Sequence, residues 1–366
     1  MWTSCWNICV IALLLPLGVI ASPIPKRSLQ TPTDFEVIII GGGPAGLSAL
    51  SGLARVRRTA LLIDSGEYRN GATRHAHDII GSDGVTPAYF RAAARDQISL
   101  YPTVSMQNGT IVDIQKINDT SFMVTDATGK AYTSQKIVLA TGIKDLVPTT
   151  PGLPENWSKG IYWCPWCDGY EHRDQPMGLL STIDQIPGMV EEISTLNNDL
   201  IAFVNGSMTP AVLQALGAKQ PDWEQMLATY NVQVDNRTIT AIERTQDGAV
   251  VASAVDKAEY DKFIIHLDDG TAVERGVFFT SFPHTQRSGL GAALGVTIVD
   301  GKLFSNFTTG MRTNLPGVYA VGDANSDGST NVPHAMWSGK RAAVDIHSEF
   351  FSNAGSLRRP VRIYGW

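Results

Sequence analysis

Apolar residues gather along this chain in short blocks, and their order predicts repeated strand–helix–strand units. Residues 37–40 (VIII) form an unbroken β-branched run, as expected of a strand buried on both faces of a parallel sheet. A helix over residues 45–56 and a second strand at 61–63 follow. The same succession returns in the middle of the chain, with strands at 177–181 and 200–204 around a helix at 188–197. A short strand at 317–321 and a closing helix from Pro333 to about Phe350, with proline in its first turn, complete the pattern. Strands and helices alternating in this way predict an α/β fold.

Between the first strand and the first helix the chain reads GGGPAG. Gly41, Gly43 and Gly46 fall in the G-x-G-x-x-G spacing: the first allows the turn, the second admits a pyrophosphate, and the third lets helix and strand pack closely. Pro44 and Ala45 open a helix whose amide groups point at the phosphates. Asp64 ends the second strand, where a ribose hydroxyl would sit. This βαβ context predicts a dinucleotide site.

The 366 residues leave room for two domains. A net charge of −6 argues against nucleic acid or an anionic membrane as partner. The apolar run NICVIALLLPLGVIA is short for a membrane span and ends in Val19-Ile20-Ala21, so residues 1–21 read as a cleaved signal peptide. Residues 22–29 then read as a propeptide with a Lys26-Arg27 site. Sequons at Asn108, Asn118, Asn156, Asn205, Asn236 and Asn306 fit a secreted glycoprotein.

Of four cysteines, Cys5 and Cys9 leave with the signal, and the mature chain keeps Cys164 and Cys167 in IYWCPWCDGYEH. One mature chain cannot build a four-cysteine metal site; zinc held by this pair with His172 and another histidine is the remaining option, and no metal is expected. As a structural staple the pair would close a loop too small to remove much chain entropy. A short-loop disulfide in an oxidising compartment is the reactive sort. The pair is therefore expected to pass electrons. Trp163, Trp166, Tyr162 and Tyr170 around it either shield the disulfide, offer substrate an apolar rim, or belong to the core.

The order GGGPAG, ATG (140–142), CxxCDG and a late GD (322–323) resembles the low-molecular-weight thioredoxin reductases over nearly all the mature length. DSGEYRNGATRHAHDIIGSDG and CPWCDGYE look most like the fungal branch of secreted sulfhydryl oxidases and dithiol oxidases. The resemblance implies two Rossmann-like dinucleotide-binding domains, the second (148–282) inserted in an FAD-binding domain (30–147 plus 283–366), and a homodimer. It implies that Asp64, Ser65, Arg69, Asn70 and His77 line the FAD adenosine and pyrophosphate channel. Val112, Ala140, Thr141, Gly142, Gly322, Asp323, Asn331 and Val332 would contact the rest of the cofactor. Cys164 would be the interchange thiol and Cys167 the flavin-facing one. A base or cation is needed near the thiolate; Asp168 and His334 are the main candidates and His172 a third. A helix N-cap is the alternative role for Asp168.

The middle of the chain departs from that family. Thioredoxin reductases carry a second glycine fingerprint for NADPH after their CxxC; here residues 182–187 read TIDQIP, without glycine. Bulky side chains would keep a pyrophosphate from the backbone, and Asp184 would repel it. Residues 205–208 after the next strand carry no Arg or Lys for a 2′-phosphate. The second domain is thus expected to lack a functional NADPH site. Electrons would enter from small thiols such as glutathione and leave to O2 as H2O2. A dithiol oxidase closing a disulfide in a secondary metabolite is the first alternative, and an NADPH-dependent thioredoxin reductase the second.

Overall fold

The computed structural model describes residues 32–354, with side chains to 352. The expected signal peptide and propeptide lie outside the described residues.

The first apolar run is strand β1, Phe35–Ile40, followed by helix α1, Pro44–Arg55, and strand β2, Ala60–Asp64. With β3 (Val104–Asn108), β4 (Ile111–Asn118), β5 (Ser121–Asp126) and β6 (Ala131–Leu139) they build one sheet in the order β3-β2-β1-β6-β5-β4. The strand Val318–Ala320 runs parallel to the end of β6. Val37, Ile38 and Ile39 are fully buried because the sheet is covered on both faces. Val37 and Ile39 pack with α1 and the closing helix Val332–Ala354, while Ile38 and Ile40 pack on the opposite face with Phe122 and Val124. Each such side chain contributes about 1.5–3 kcal/mol of burial free energy. The closing helix lies against α1 at a crossing where Gly339 has no room for a β-carbon, which would stand 2.1 Å from the Ala45 carbonyl oxygen.

A second sheet, all parallel, orders its strands as Val232–Asp235, Leu200–Phe203, Met177–Leu180, Val277–Thr280 and Ile161–Tyr162. A three-stranded antiparallel sheet of Ile239–Gln246, Lys262–Leu267 and Ala272–Arg275 packs beside it. Where the chain passes between the two halves, Ile143–Asp145 pairs antiparallel with His284–Gln286.

The loop before the helix Ile186–Ile193 corrects one expectation. Ile183 and Ile186 are fully buried in the core of the second sheet, so their bulk does not stand where a pyrophosphate would approach. The exposed side chains of the loop are Thr182 and Gln185, with Asp184 half-buried between them, its carboxyl held below its usual range by hydrogen bonds involving Thr182 and Gln185. A negative charge among polar side chains, not apolar bulk, occupies this helix start.

Asn156 is buried and its side-chain amide donates to the Gly152 carbonyl at 2.6 Å, so this sequon is closed within the fold.

Candidate active site

A cleft of about 390 Å³ opens along the ends of β1, β2, β6 and Val318–Ala320 and reaches the redox loop. Its floor is the glycine turn. Gly41 has φ +111°, and a β-carbon there would stand 2.2 Å from the Ala140 carbonyl oxygen. At Gly42 it would strike the Asp64 carboxylate at 2.1 Å. At Gly43 it would meet nothing within 4 Å, because that position faces the open cleft. Gly46 does not line the cleft: it sits behind, against the Gly41 carbonyl, and serves packing alone. Gly43 caps α1 without any side-chain hydrogen bond, so the first-turn amides are left for a ligand. The side-chain oxygens of Thr73 and Thr141 and Nε2 of His77 are buried in the cleft wall without hydrogen-bond partners among the described residues. Glu171 lies 3.5 Å from that His77 nitrogen but outside hydrogen-bond geometry. A helix start without a side-chain cap, an unobstructed glycine and orphaned polar atoms along one cleft fit a dinucleotide cofactor.

This fit makes a direct prediction. Gly43→Ala should leave the fold unchanged, since the backbone there (φ −73°) suits any residue, while the methyl group fills the phosphate approach. FAD affinity is expected to fall about tenfold or more, read as flavin content at unchanged circular dichroism; normal flavin content would show that the phosphates lie elsewhere.

Pro44, Ala45, Ser65, Asn70, Ala140, Gly142, Gly322, Asn331 and Val332 all line the cleft, as do Asp64, Arg69, His77 and Asp323. Asp64 is less available than its strand-end position suggests. Its carboxylate accepts from Gly66 N at 3.0 Å and Tyr68 Oη at 2.5 Å, and pairs with Arg95. Burial opposes its charge, yet these bonds outweigh it and hold the carboxyl below its usual range. Arg69 makes a two-pronged pair with Asp145 (2.8 and 2.7 Å), reaches Asp323 at 3.3 Å, and stacks on Trp163 with 4.8 Å to the ring centre. Burial pushes the Asp323 carboxyl up, against the pull of Arg69 and Lys302.

Val112 is a correction. It is 55% exposed, because strand alternation turns it outward while Ile111 beside it lines the cleft. Thr73 and Arg287 also line the cleft and were not singled out in the sequence, and Trp163, one of the aromatics noted around the cysteines, lines it too. Arg287 follows the second crossing between the halves, where no motif marks it.

Cys164 and Cys167 form a disulfide across a one-turn helix, Pro165–Asp168. Only Cys167 lines the cleft; Cys164 does not. Cys164 is also the N-cap of that helix, so Asp168 is not a cap. Asp168 is buried at the cleft wall, and burial, then the charges of Glu171 and Glu259, push its carboxyl well above its ordinary range. The surrounding aromatics divide their roles. Tyr162 is core, Trp163 stacks on Trp157 at 5.3 Å, and Trp166 and Tyr170 are exposed.

His334 is a second correction. It does not line the cleft although its neighbours Pro333 and Ala335 do; its Nε2 lies 2.6 Å from Asp327, because the helical turn carries its ring outward. His172 is fully buried with both ring nitrogens engaged, Nδ1 with the Asp168 carbonyl (2.8 Å) and Nε2 with Asp261 (3.3 Å). His172, Glu259 and Asp261 hold their ligand atoms within 4.8 Å of one another, but the guanidinium of Arg74 is the cation bonded to both carboxylates.

Comparison with known proteins agrees with this geometry. The pyridine nucleotide-disulphide oxidoreductase family matches residues 35–186. A protein named "Probable thioredoxin reductase" from Arthroderma benhamiae is 51% identical over 91% of this chain and 85% of its own length. Thioredoxin reductase aclD of Aspergillus oryzae is 32% identical over 86% of this chain and 96% of its own. The crystal structure of an oxidoreductase from Agrobacterium tumefaciens, 27% identical, superposes with a TM-score of 0.74 over 87% of this chain and 98% of that one.

Proposed function

The chain belongs to the pyridine nucleotide-disulphide oxidoreductase family, in its thioredoxin reductase-like group, and from that membership we propose that it is a secreted FAD-dependent thiol oxidase. The family is FAD-binding, and FAD when bound supplies a two-electron acceptor that O2 can reoxidise. In the overall reaction two thiols give up two protons and two electrons, a disulfide forms, and O2 takes all four to become H2O2. Cys164, outside the cleft, receives the substrate thiolate and forms the mixed disulfide. That attack breaks the Cys164–Cys167 bond and expels Cys167, reduced, in the cleft wall; a second thiol, or the second sulfur of a dithiol, then releases the product disulfide from Cys164, and both cysteines stand reduced. Asp168, protonated and buried beside Cys167, holds a proton for the departing sulfur.

The observation that carries the reading is the 182–187 loop. A reductase would need a phosphate seat there, and the chain presents the ionised Asp184 without a glycine. The names of the relatives favour the second reading, an NADPH-dependent reductase. One assay separates them. Peroxide formed from glutathione and oxygen without NADPH is the expected result; NADPH consumption with thioredoxin would reverse the conclusion. A dithiol metabolite as better donor than glutathione would move the assignment to dithiol oxidase.

Secretion is part of the same proposal. It is supported by the apolar run before Ala21 and by the exposed sequons at Asn108, Asn118, Asn205 and Asn236. A homodimer is proposed from the family resemblance.

A further inference from the structure

The segment between β2 and the helix Pro87–Ser99 belongs to the FAD-binding half, yet it sends side chains into the other half, Arg74 foremost. Arg74 is 11% exposed. Its Nη1 donates to Glu259 at 2.6 Å, to Asp261 at 2.8 Å and to the Tyr162 hydroxyl at 3.3 Å. Its Nη2 donates to Asp261 at 2.9 Å and to Asp247 at 2.8 Å. All four acceptor residues lie within 148–282. His75 adds a contact from the same segment, 3.1 Å from Glu259. The fit is tight: the Cα of Gly248 packs so close that a β-carbon would stand 3.1 Å from Arg74 Nη1.

The line continues to the redox helix. Asp261, grasped on both oxygens by Arg74, also lies 3.3 Å from His172 Nε2, and His172 Nδ1 lies 2.8 Å from the Asp168 carbonyl. Tyr162, two residues before Cys164, tilts on the His172 ring at 5.3 Å. Burial works against the charge of Asp261, but hydrogen bonds from His172, Arg74 and Gly248 outweigh it and bring its pKa down to about 2. Around Arg74 stand five carboxyl groups, those of Asp168, Glu171, Asp247, Glu259 and Asp261, with Arg244, His75, His77 and His172 as the other basic neighbours. A rigid shift of the insert away from the FAD-binding half would have to break these Arg74 bonds.

We propose that Arg74 is a positioning residue for electron transfer: from the FAD-binding half it grips the insert and, through Asp261 and His172, holds the helix Pro165–Asp168 with Cys167 at the cleft. A guanidinium suits the task because its fork grips both Asp261 oxygens at once. The inference rests on electrons passing between the cysteine pair and bound FAD, and is independent of which acceptor reoxidises the cofactor.

The test is therefore anaerobic. Wild type, Arg74→Ala and the paired variant Arg74→Gln/Asp261→Asn, which removes opposite charges together and keeps the fold within reach, are mixed with dithiothreitol. Two rates are followed: flavin bleaching in the holoprotein, and opening of the disulfide in flavin-free protein by thiol titration. Bleaching should slow about tenfold or more in both variants, as expected for a misplacement of the order of an ångström, while disulfide opening stays at the wild-type rate. In flavin-free protein the amides of Cys167, Asp168 and Gly169, which donate to Cys164 and Pro165 carbonyls, should exchange with deuterium faster. Bleaching at the wild-type rate in the paired variant would overturn the proposal, as would equal slowing of both rates. Failure of the oxidase reading would show instead as normal bleaching with no peroxide once air is admitted.

Discussion

Cys167→Ser is expected to purify as a yellow, folded flavoprotein whose peroxide production from thiols is lower by about 10³-fold or more. The cleft walls that hold FAD do not depend on the sulfur, since the disulfide closes only a one-turn helix and the glycine turn, Thr141 and Asp323 lie on other elements. The electron route does depend on it, because Cys167 is the sulfur of the pair that lines the cleft. Cys164→Ser also stops turnover but should differ in colour. It leaves Cys167 as a free sulfur lining the cleft, and a charge-transfer band with oxidised flavin is the expected signature of its thiolate; Cys167→Ser leaves only the sulfur that does not line the cleft, and no band is expected. Turnover at near wild-type rate in Cys167→Ser, or the band in the wrong variant, would show that the two sulfurs have been assigned in reverse.

How far the sequence revealed this arrangement depended on whether the cause was local. The turn at Gly41 and the packing at Gly46 are demands of backbone geometry on single residues, and such demands leave their mark in the spelling of the chain. The β-branched run at 37–40 was legible for the same reason, since burial on both faces permits little else. Val112 and His334 were misplaced by one residue of rotation: motif spacing locates a segment, but which neighbour faces the cleft is set by strand alternation or helical phase. Ile183 and Ile186 misled in another way. Their bulk suggested an obstruction, yet both belong to the core, and what the loop presents near the helix start is the charge of Asp184. Arg74 lies in a stretch that carried the family resemblance, but nothing there singled it out. Its acceptors lie 88 to 187 positions away in the chain, and no local pattern announces such a grip.

Asp64 and Asp168 were both singled out as acids in motif positions, and the fold treats them in opposite ways. Asp64 is ringed by donors and stays ionised below the ordinary range; Asp168 is ringed by Glu171 and Glu259 and resists ionisation. Burial is common to both. The sign of the neighbours decides.

That contrast sets the second large effect. Asp168→Asn keeps the shape of the side chain and removes its proton, so turnover is expected to fall by about 10²-fold or more, the usual worth of a positioned acid–base group. The limb of the pH–rate profile that reports its ionisation, placed above the ordinary carboxylate range by burial and by Glu171 and Glu259, should vanish. Stability should move the other way. The folded pKa is raised above the unfolded one, so the contribution of the wild-type carboxyl is fully present below the unfolded value and is lost as pH rises through the folded value. Asparagine carries no such loss. The variant should therefore match wild type in Tm at acidic pH and exceed it increasingly toward neutrality, while turning over more slowly at every pH. A variant that kept full turnover would remove Asp168 from the chemistry. One that melted lower than wild type at neutral pH would mean that the carboxyl is ionised in the fold and held by Arg74 rather than opposed by its acidic neighbours.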